Sequence, residues 1–182
     1  MVPQNRGTII GMAFPLLLWL LPAAVTVTAL QKNKFLIPPV KGRPIPRYGN
    51  AAVGVQRTAA HTHRGVDIPG ARNEPVYAAA AGVVTHAVTQ PGTPGFRGYG
   101  RAVTIQHLNG KHTLYGHLET VNVRRGDIVS QGQLIGGIGD ACDRPGNLDR
   151  RCGAPHLHYE LSSKAYPLPA EAPRLSPVEY TV

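Results

Sequence analysis

The sequence predicts an all-β fold, a compact antiparallel structure of sandwich or barrel-like form, and three observations lead to it. Glycine (21) and proline (17) are abundant among the 182 residues, which favours short strands joined by many turns. Short apolar runs alternate with glycine-containing turns from about residue 48 onward, and helical periodicity nowhere lasts beyond about ten residues. A chain of this length can bury one hydrophobic core.

Seven segments predict the strands, each bounded by turn residues. They are 76–80, 82–87, 102–107, 112–118, 128–129, 134–135 and 156–161. The strongest is Ala-Val-Thr-Ile-Gln-His, in which Val103 and Ile105 share one face. Asn109-Gly110 is a hairpin signal, and it predicts that this strand pairs with the next one along the chain.

The N-terminal residues 1–29 predict export. Arg6 precedes an apolar run over 9–30, which includes the small-residue pattern Val27-Thr28-Ala29, and this order is typical of a cleaved signal peptide. The alternative is an uncleaved membrane anchor, because about 20 apolar residues span a bilayer. Both interpretations place the domain in the periplasm or cell envelope, or outside the cell, and restrict membrane contact to this segment.

Proline spacing divides the rest of the chain. Residues 30–46 contain two proline-rich stretches and are predicted to be an extended linker. The remaining range, 47–182, is predicted to be a single domain. Its last part, 165–182, is also proline-rich and is expected to wrap the domain irregularly.

The net charge of +9 predicts an anionic partner, which is a nucleic acid, a membrane or an anionic wall polymer. No Cys/His finger spacing and no aromatic RNA-binding box occurs in the sequence, so we do not expect nucleic-acid binding. Cys142 and Cys152 lie in a turn-rich stretch. In an oxidising compartment they are expected to form a disulfide, with two free thiols as the alternative.

The first motif with chemical potential is His63-Arg-Gly-Val-Asp67. Imidazole nitrogens and carboxylate oxygens are ordinary zinc ligands, but residues four apart on a continuous strand are about 13 Å apart. A turn at Gly65 would bring the two side chains together. Taken alone, the pattern is a weak motif that more often describes two unrelated surface residues.

The second motif is Pro155-His156-Leu-His158-Tyr-Glu-Leu161. Strand alternation places His156 and His158 on one face, about 6–7 Å apart, so that both bind one metal or one binds while the other acts as acid or base. Glu160 falls on the same face and can orient an imidazole. The alternative is a half-exposed polar strand face.

The third motif, Thr113-Leu-Tyr-Gly-His117-Leu, lies between the other two. Together the three supply enough nitrogen and oxygen ligands for a catalytic zinc site with spare imidazoles for proton transfer. Of the other histidines, His61 precedes His63 by two residues and is a candidate to assist the site, His107 has no assigned chemistry, and His86 and His112 are expected at the surface.

These motifs, in this order, resemble the lysostaphin/LytM-type zinc endopeptidases, a family that hydrolyses peptidoglycan peptides. The resemblance covers about three quarters of the chain, from residue 43 to the end, and includes Pro75-Val-Tyr-Ala-Ala, Gly98-Tyr-Gly and Val103-Thr-Ile-Gln-His-Leu-Asn-Gly110 beside the three histidine motifs. It implies an antiparallel β fold with a groove across the sheet and a peptidoglycan substrate.

The resemblance also implies residue roles. One zinc ion (Zn2+) would be bound by His63, Asp67 and His158, with His117 and His156 as the catalytic pair flanking the reacting centre. Two rivals remain open: a catalytically silent relative that binds the wall and regulates other hydrolases, and a wall-binding protein in which zinc only stabilises the fold.

Overall fold

A computed structural model of the chain describes residues 34–46, 63–140, 154–169, 172 and 174–182, all within the unit Asn33–Val182. The predicted signal or anchor segment 1–29 and the predicted Cys142–Cys152 disulfide lie outside the described residues. Within the described ranges, no helix has the length and apolar character needed to cross a bilayer.

Eight strands form one antiparallel sheet in the described part of the chain, so the all-β prediction is confirmed. They are β1 (Val66–Pro69), β2 (Pro75–Tyr77), β3 (Gly82–Val88), β4 (Arg101–His107), β5 (His112–Val121), β6 (Ile128–Val129), β7 (Leu134–Ile138) and β8 (His156–Ser162). A short 3-10 helix, Pro177–Tyr180, follows near the C-terminus. Strand β1 is absent from the sequence-based prediction because its four residues end in proline and show little alternation.

The sheet is open, with the strand order β1-β8-β5-β4-β3-β6, and β7 pairs with both β2 and β5. The turn predicted at Asn109-Gly110 joins β4 to β5, and Gly110 has a φ of +75°, a conformation that glycine adopts without steric cost. In this strand order β5, which carries His117, and β8, which carries His156 and His158, are direct neighbours.

The sheet has apolar packing on both faces. The larger cluster contains the core-facing residues of β8, Leu157, Tyr159 and Leu161, and the rings of Tyr115 and Tyr159 are 5.2 Å apart on that face. A smaller cluster includes Leu114, Tyr99 and Tyr166. Because β8 is covered on both sides, its polar side chains lie in a largely dry environment.

The predicted linker 30–46 differs from the structure over its described part. Leu36 and Val40 are almost completely buried in the main core, and Ile37 N donates to the carbonyl of Ala79 at 2.8 Å. Leu36 also bridges to Thr181 near the C-terminus. Residues 34–46 therefore belong to the domain, because their apolar side chains gain more from burial than the proline-rich backbone gains from remaining solvated.

Candidate metal centre

The register between β1 and β8 positions the first two side chains of the site. Asp67 lies directly opposite His158 in the antiparallel pairing, and Pro69 lies opposite His156. Opposite residues in such a ladder have Cβ atoms about 5 Å apart. The pairing of β1 with β8 thus brings a carboxylate against an imidazole although 91 residues separate them in the sequence.

His63 joins this pair from the chain just before β1. Its Nε2 lies 3.0 Å from Asp67 Oδ1 and 3.2 Å from His158 Nδ1, and Asp67 Oδ1 lies 3.1 Å from His158 Nδ1. The bend at Gly65 allows this approach, although for a different reason from the one expected, since Gly65 does not have a positive φ. A Cβ on Gly65 would lie only 2.6 Å from the carbonyl oxygen of Tyr159, so glycine is required by crowding.

The three ligand atoms fit a metal ion. They lie within 4.8 Å of one another and come from two histidines and one carboxylate, His63, Asp67 and His158. Zinc ligands at about 2.0–2.1 Å in tetrahedral geometry are separated by about 3.3 Å, close to the three observed separations. The site also offers a direction open to solvent, because the His63 side chain is 38% exposed whereas that of His158 is 8% exposed.

Hydrogen bonds within the cluster outweigh the effect of burial on the pKa values of Asp67 and His158. Burial alone would raise the pKa of Asp67, but hydrogen bonds from His158 and His63 outweigh it and hold the pKa below its ordinary value. Burial alone would lower the pKa of His158, but bonds to Asp67 and Glu160 raise it to about 9. The carboxylate is therefore ionised at neutral pH, as a metal ligand must be.

His156 lies beside the cluster on the same face of β8. Its Nδ1 lies 2.8 Å from the carbonyl oxygen of Ala154, and a carbonyl can only accept, so Nδ1 carries the proton. In the neutral ring, Nε2 is then the acceptor, and it lies 3.8 Å from Asp67 Oδ1. The ring thus presents a basic nitrogen to the cluster.

His117 reaches the site through a distorted backbone. Gly116 pairs with His158, so regular alternation would turn the next side chain, His117, to the opposite face. His117 instead has a φ of +58°, and the register between β4 and β5 shifts nearby. Its backbone is fixed by His117 N donating to Tyr99 O and Gly139 N donating to His117 O, both at 2.7 Å.

This distortion brings the ring of His117 to 5.0 Å from that of His156 and 5.5 Å from that of His158, measured between centroids. Burial, together with repulsion by His158 and His156, lowers the pKa of His117 to about 3. A positive φ at a non-glycine residue costs about 1–3 kcal/mol and persists where the surroundings enforce it, often at functional sites.

A second layer of polar groups supports His158 from behind. Glu160 Oε1 lies 3.0 Å from His158 Nε2 and accepts from the Tyr99 hydroxyl at 2.7 Å. Glu160 Oε2 accepts from the Tyr166 hydroxyl at 3.1 Å and from Arg174 Nε at 2.5 Å. Sequence reasoning found Glu160 but missed the other three. Tyr99 stands in the Gly-Tyr-Gly motif, whereas nothing in the proline-rich tail distinguishes Tyr166 or Arg174.

Two of the remaining histidines lie away from the site. His107 is buried, and both ring nitrogens have partners within the fold, with Nδ1 2.9 Å from Ala81 O and Nε2 2.9 Å from Thr113 Oγ1. His112, expected at the surface, is 5% exposed. It lies within β5, opposite Ser162 of β8 and Gln106 of β4.

Two histidines and a carboxylate lie close together on the β-sheet, with two more histidines alongside, and these residue types are the ones that bind zinc in metal-dependent hydrolases. The sequence profile described as Peptidase family M23 matches residues 61–169. This is more than half of the chain, and the chain therefore belongs to peptidase family M23.

Relatives and solved structures agree with this assignment. The chain is 38% identical over 106 residues to the DD-carboxypeptidase/endopeptidase Mpg of Neisseria meningitidis, covering 58% of this chain and 21% of that protein. It is 38% identical over 108 residues to the peptidoglycan DD-endopeptidase ShyA of Vibrio cholerae, covering 59% and 22%. The chain thus matches only about a fifth of the length of either relative.

A solved structure shares the fold over most of the domain. The catalytic domain of the antimicrobial peptidase lysostaphin from Staphylococcus simulans aligns with a TM-score of 0.55 and 25% identity, covering 74% of this chain and 88% of that one. The resemblance to lysostaphin-type domains described from the sequence motifs is confirmed.

Proposed function

We propose that this protein is a zinc-dependent endopeptidase that hydrolyses amide bonds in the stem or cross-bridge peptides of peptidoglycan. The observation that carries the proposal is the convergence of His63 Nε2, Asp67 Oδ1 and His158 Nδ1 to mutual separations of 3.0–3.2 Å. Support for the substrate comes from the relatives, one of which is named a peptidoglycan DD-endopeptidase.

His63, Asp67 and His158 would hold the zinc ion. When bound in such a site, zinc acts as a Lewis acid that polarises a carbonyl group and makes a water molecule acidic near neutral pH. For His158 this assigns Nδ1 to the ion and leaves the proton on Nε2, where Glu160 accepts it at 3.0 Å. The His158 ring would thus bind the ion through Nδ1 and donate through Nε2 to Glu160, whose carboxylate fixes the orientation of the ring.

His156 is the proposed proton carrier. Because its Nδ1–H is donated to Ala154 O, its Nε2 is free to accept a proton from the attacking water and to deliver that proton to the nitrogen of the leaving amine. Formation of the carbon–oxygen bond and cleavage of the carbon–nitrogen bond then leave one carboxylate and one amine. The carbonyl of Ala154 keeps the ring in the required tautomer throughout.

His117 is the proposed donor to the oxyanion that develops on the scissile carbonyl. Its low pKa keeps the ring neutral at pH 7, so it carries a single N–H. Its Nδ1 is buried without a hydrogen-bond partner among the described residues, and buried N–H groups without a partner are rarer in proteins than under-satisfied buried acceptors. The proton therefore lies on Nε2, and removal of one such donor costs roughly 10²–10³-fold in rate.

The proposed location follows from the substrate. An exported protein reaches peptidoglycan, and the apolar N-terminal pattern over 9–30 supports export. The net charge of +9 favours retention at an anionic wall, where electrostatic attraction raises the local concentration of the enzyme.

The test is cleavage of purified cross-linked muropeptide dimers, with products identified by mass. We expect the zinc-loaded protein to convert each dimer to two monomers with uptake of one water. Asp67→Asn, which removes the anionic ligand, should give no monomers. Dimers that bind to the zinc-loaded wild type but stay intact would identify a wall-binding regulatory module instead.

A further inference from the structure

The chain after β8 returns to lie along this strand. Leu175 N donates to the carbonyl of Leu161 at 2.8 Å, and the two residues form an isolated antiparallel bridge. This docking carries the preceding residue, Arg174, behind the candidate metal centre. Its side chain is only 1% exposed, an uncommon situation for arginine, which is rarely buried without a partner.

The partner of Arg174 is the carboxylate that contacts the ligand His158. Arg174 Nε donates to Glu160 Oε2 at 2.5 Å, and its Nη1 donates to the carbonyl of Ala172 at 2.6 Å. The Glu160 side chain is completely buried. The guanidinium is therefore anchored to its own segment at one nitrogen and to the sheet at another.

The carboxylate is held at both oxygens. Tyr166 also donates to Oε2 of Glu160, at 3.1 Å, while Oε1 faces His158 Nε2 at 3.0 Å. Arg174 makes a charge-assisted hydrogen bond to Oε2 and Tyr99 donates to Oε1, so the two together oppose rotation of the carboxylate. Rotation of Glu160 about its terminal bond would withdraw Oε1 from His158 and release the imidazole ring.

We infer that Arg174 is a positioning residue for the metal site. Through Glu160 it holds the ring of His158 with Nδ1 directed at Asp67 and His63, so a residue of the C-terminal tail supports the metal centre. The inference rests on the proposed function only in taking His158 as a zinc ligand. It does not require that peptidoglycan be cleaved.

The experiment compares Arg174→Met with a matched control, Arg43→Met, in the full-length protein. Arg43 donates through Nε and Nη2 to Glu74 at 2.9 and 3.0 Å, so the control removes another arginine–glutamate pair that ties a terminal segment to the domain. The readouts are the zinc Kd from competition with a chelator, the visible spectrum of the cobalt-substituted protein, and the Tm without metal.

We expect Arg174→Met to weaken zinc binding roughly 10- to 100-fold, the range found for outer partners of metal ligands, and to shift the cobalt spectrum. Arg43→Met should leave both metal readouts unchanged and, because the Arg43 side chain is 41% exposed, should change the metal-free Tm little. Arg174→Lys, which keeps one charged donor, should recover part of the affinity. A zinc Kd for Arg174→Met equal to that of the wild type would overturn the inference.

Arg174→Met leaves a buried carboxylate without its cation, so it can fail to fold. In that event Arg174→Lys serves as the second variant, since it keeps the positive charge but loses the planar guanidinium. We expect its zinc Kd to lie above that of the wild type, and an equal Kd would overturn the inference. Zinc binding by the wild type without cleavage would defeat the proposed function and leave this inference intact.

Discussion

Gly65 lies between His63 and Asp67, and its replacement by alanine should damage the metal centre although no proposed ligand is replaced. An added Cβ would lie 2.6 Å from the carbonyl oxygen of Tyr159, 2.8 Å from Nε2 of His158 and 2.9 Å from Cγ of Glu160. The first contact is with strand backbone, which cannot swing aside. We therefore expect the chain before β1 to move away from β8.

The size of the effect follows from these distances. Non-bonded heavy atoms prefer about 3.5 Å or more, so relief of the 2.6 Å contact needs a displacement of about 0.9 Å. Metal–ligand distances tolerate only about ±0.2 Å. Overpacking of a well-packed region costs about 1–3 kcal/mol, and each 1.4 kcal/mol lost from zinc binding is a factor of about ten. If this cost falls on zinc binding, we expect zinc to bind Gly65→Ala roughly 5- to 140-fold more weakly.

The assay is chelator competition for zinc, with thermal unfolding of the metal-free protein in parallel. Gly116→Ala is the control, because Gly116 lies opposite His158 on β5. There an added Cβ meets its nearest neighbours at 3.4–3.5 Å, which is ordinary contact. We expect this control to bind zinc as the wild type does. Equal zinc affinity and equal Tm for Gly65→Ala and the wild type would refute the reasoning.

Three further predictions concern strain, pH and metal. His117→Asn should fold with equal or greater stability and cleave at least about 10²-fold more slowly, since asparagine tolerates positive φ more readily but lacks the imidazole; a less stable variant would argue against strain. Burial lowers the pKa of His107, so below about pH 6.5 the unfolded state binds more protons at this residue than the folded state does. The contribution of the neutral His107 to the free energy of unfolding is therefore fully present above that pH and is lost as the solution is acidified. His107→Gln should flatten this acid slope, measured by urea unfolding, by up to about 1.4 kcal/mol per pH unit, whereas an unchanged slope would contradict the assignment. Zinc at about 100 times its Kd should stabilise the wild type by about 2.7 kcal/mol and leave the Tm of Asp67→Asn unchanged.

Much of the site can be predicted from strand alternation in the sequence. It correctly places His156, His158 and Glu160 on one face of β8, because a two-residue period needs no knowledge of neighbouring strands. The opposition of Asp67 and His158 depends on register between distant segments, which local patterns do not contain. The family resemblance supplied that pairing when periodicity could not.

The parts that sequence reasoning missed depend on tertiary contacts. His117 faces the cluster only because its backbone adopts a φ of +58°, which reverses the alternation rule. Leu36 and Val40 lie in a proline-rich stretch that looks like a linker, but the core covers them completely. Arg174 lies in an irregular tail, and only the docking of that tail on β8 reveals its contact with Glu160.

The most direct test of the proposed zinc-dependent activity is digestion of purified sacculi by zinc-loaded, chelator-stripped and zinc-restored protein, with products separated as muropeptides. We expect cross-linked dimers to disappear with the loaded protein, to persist with the stripped protein, and to disappear again when zinc is restored. Dimers that persist in all three samples, with zinc bound and the domain folded, would contradict a metal-dependent endopeptidase.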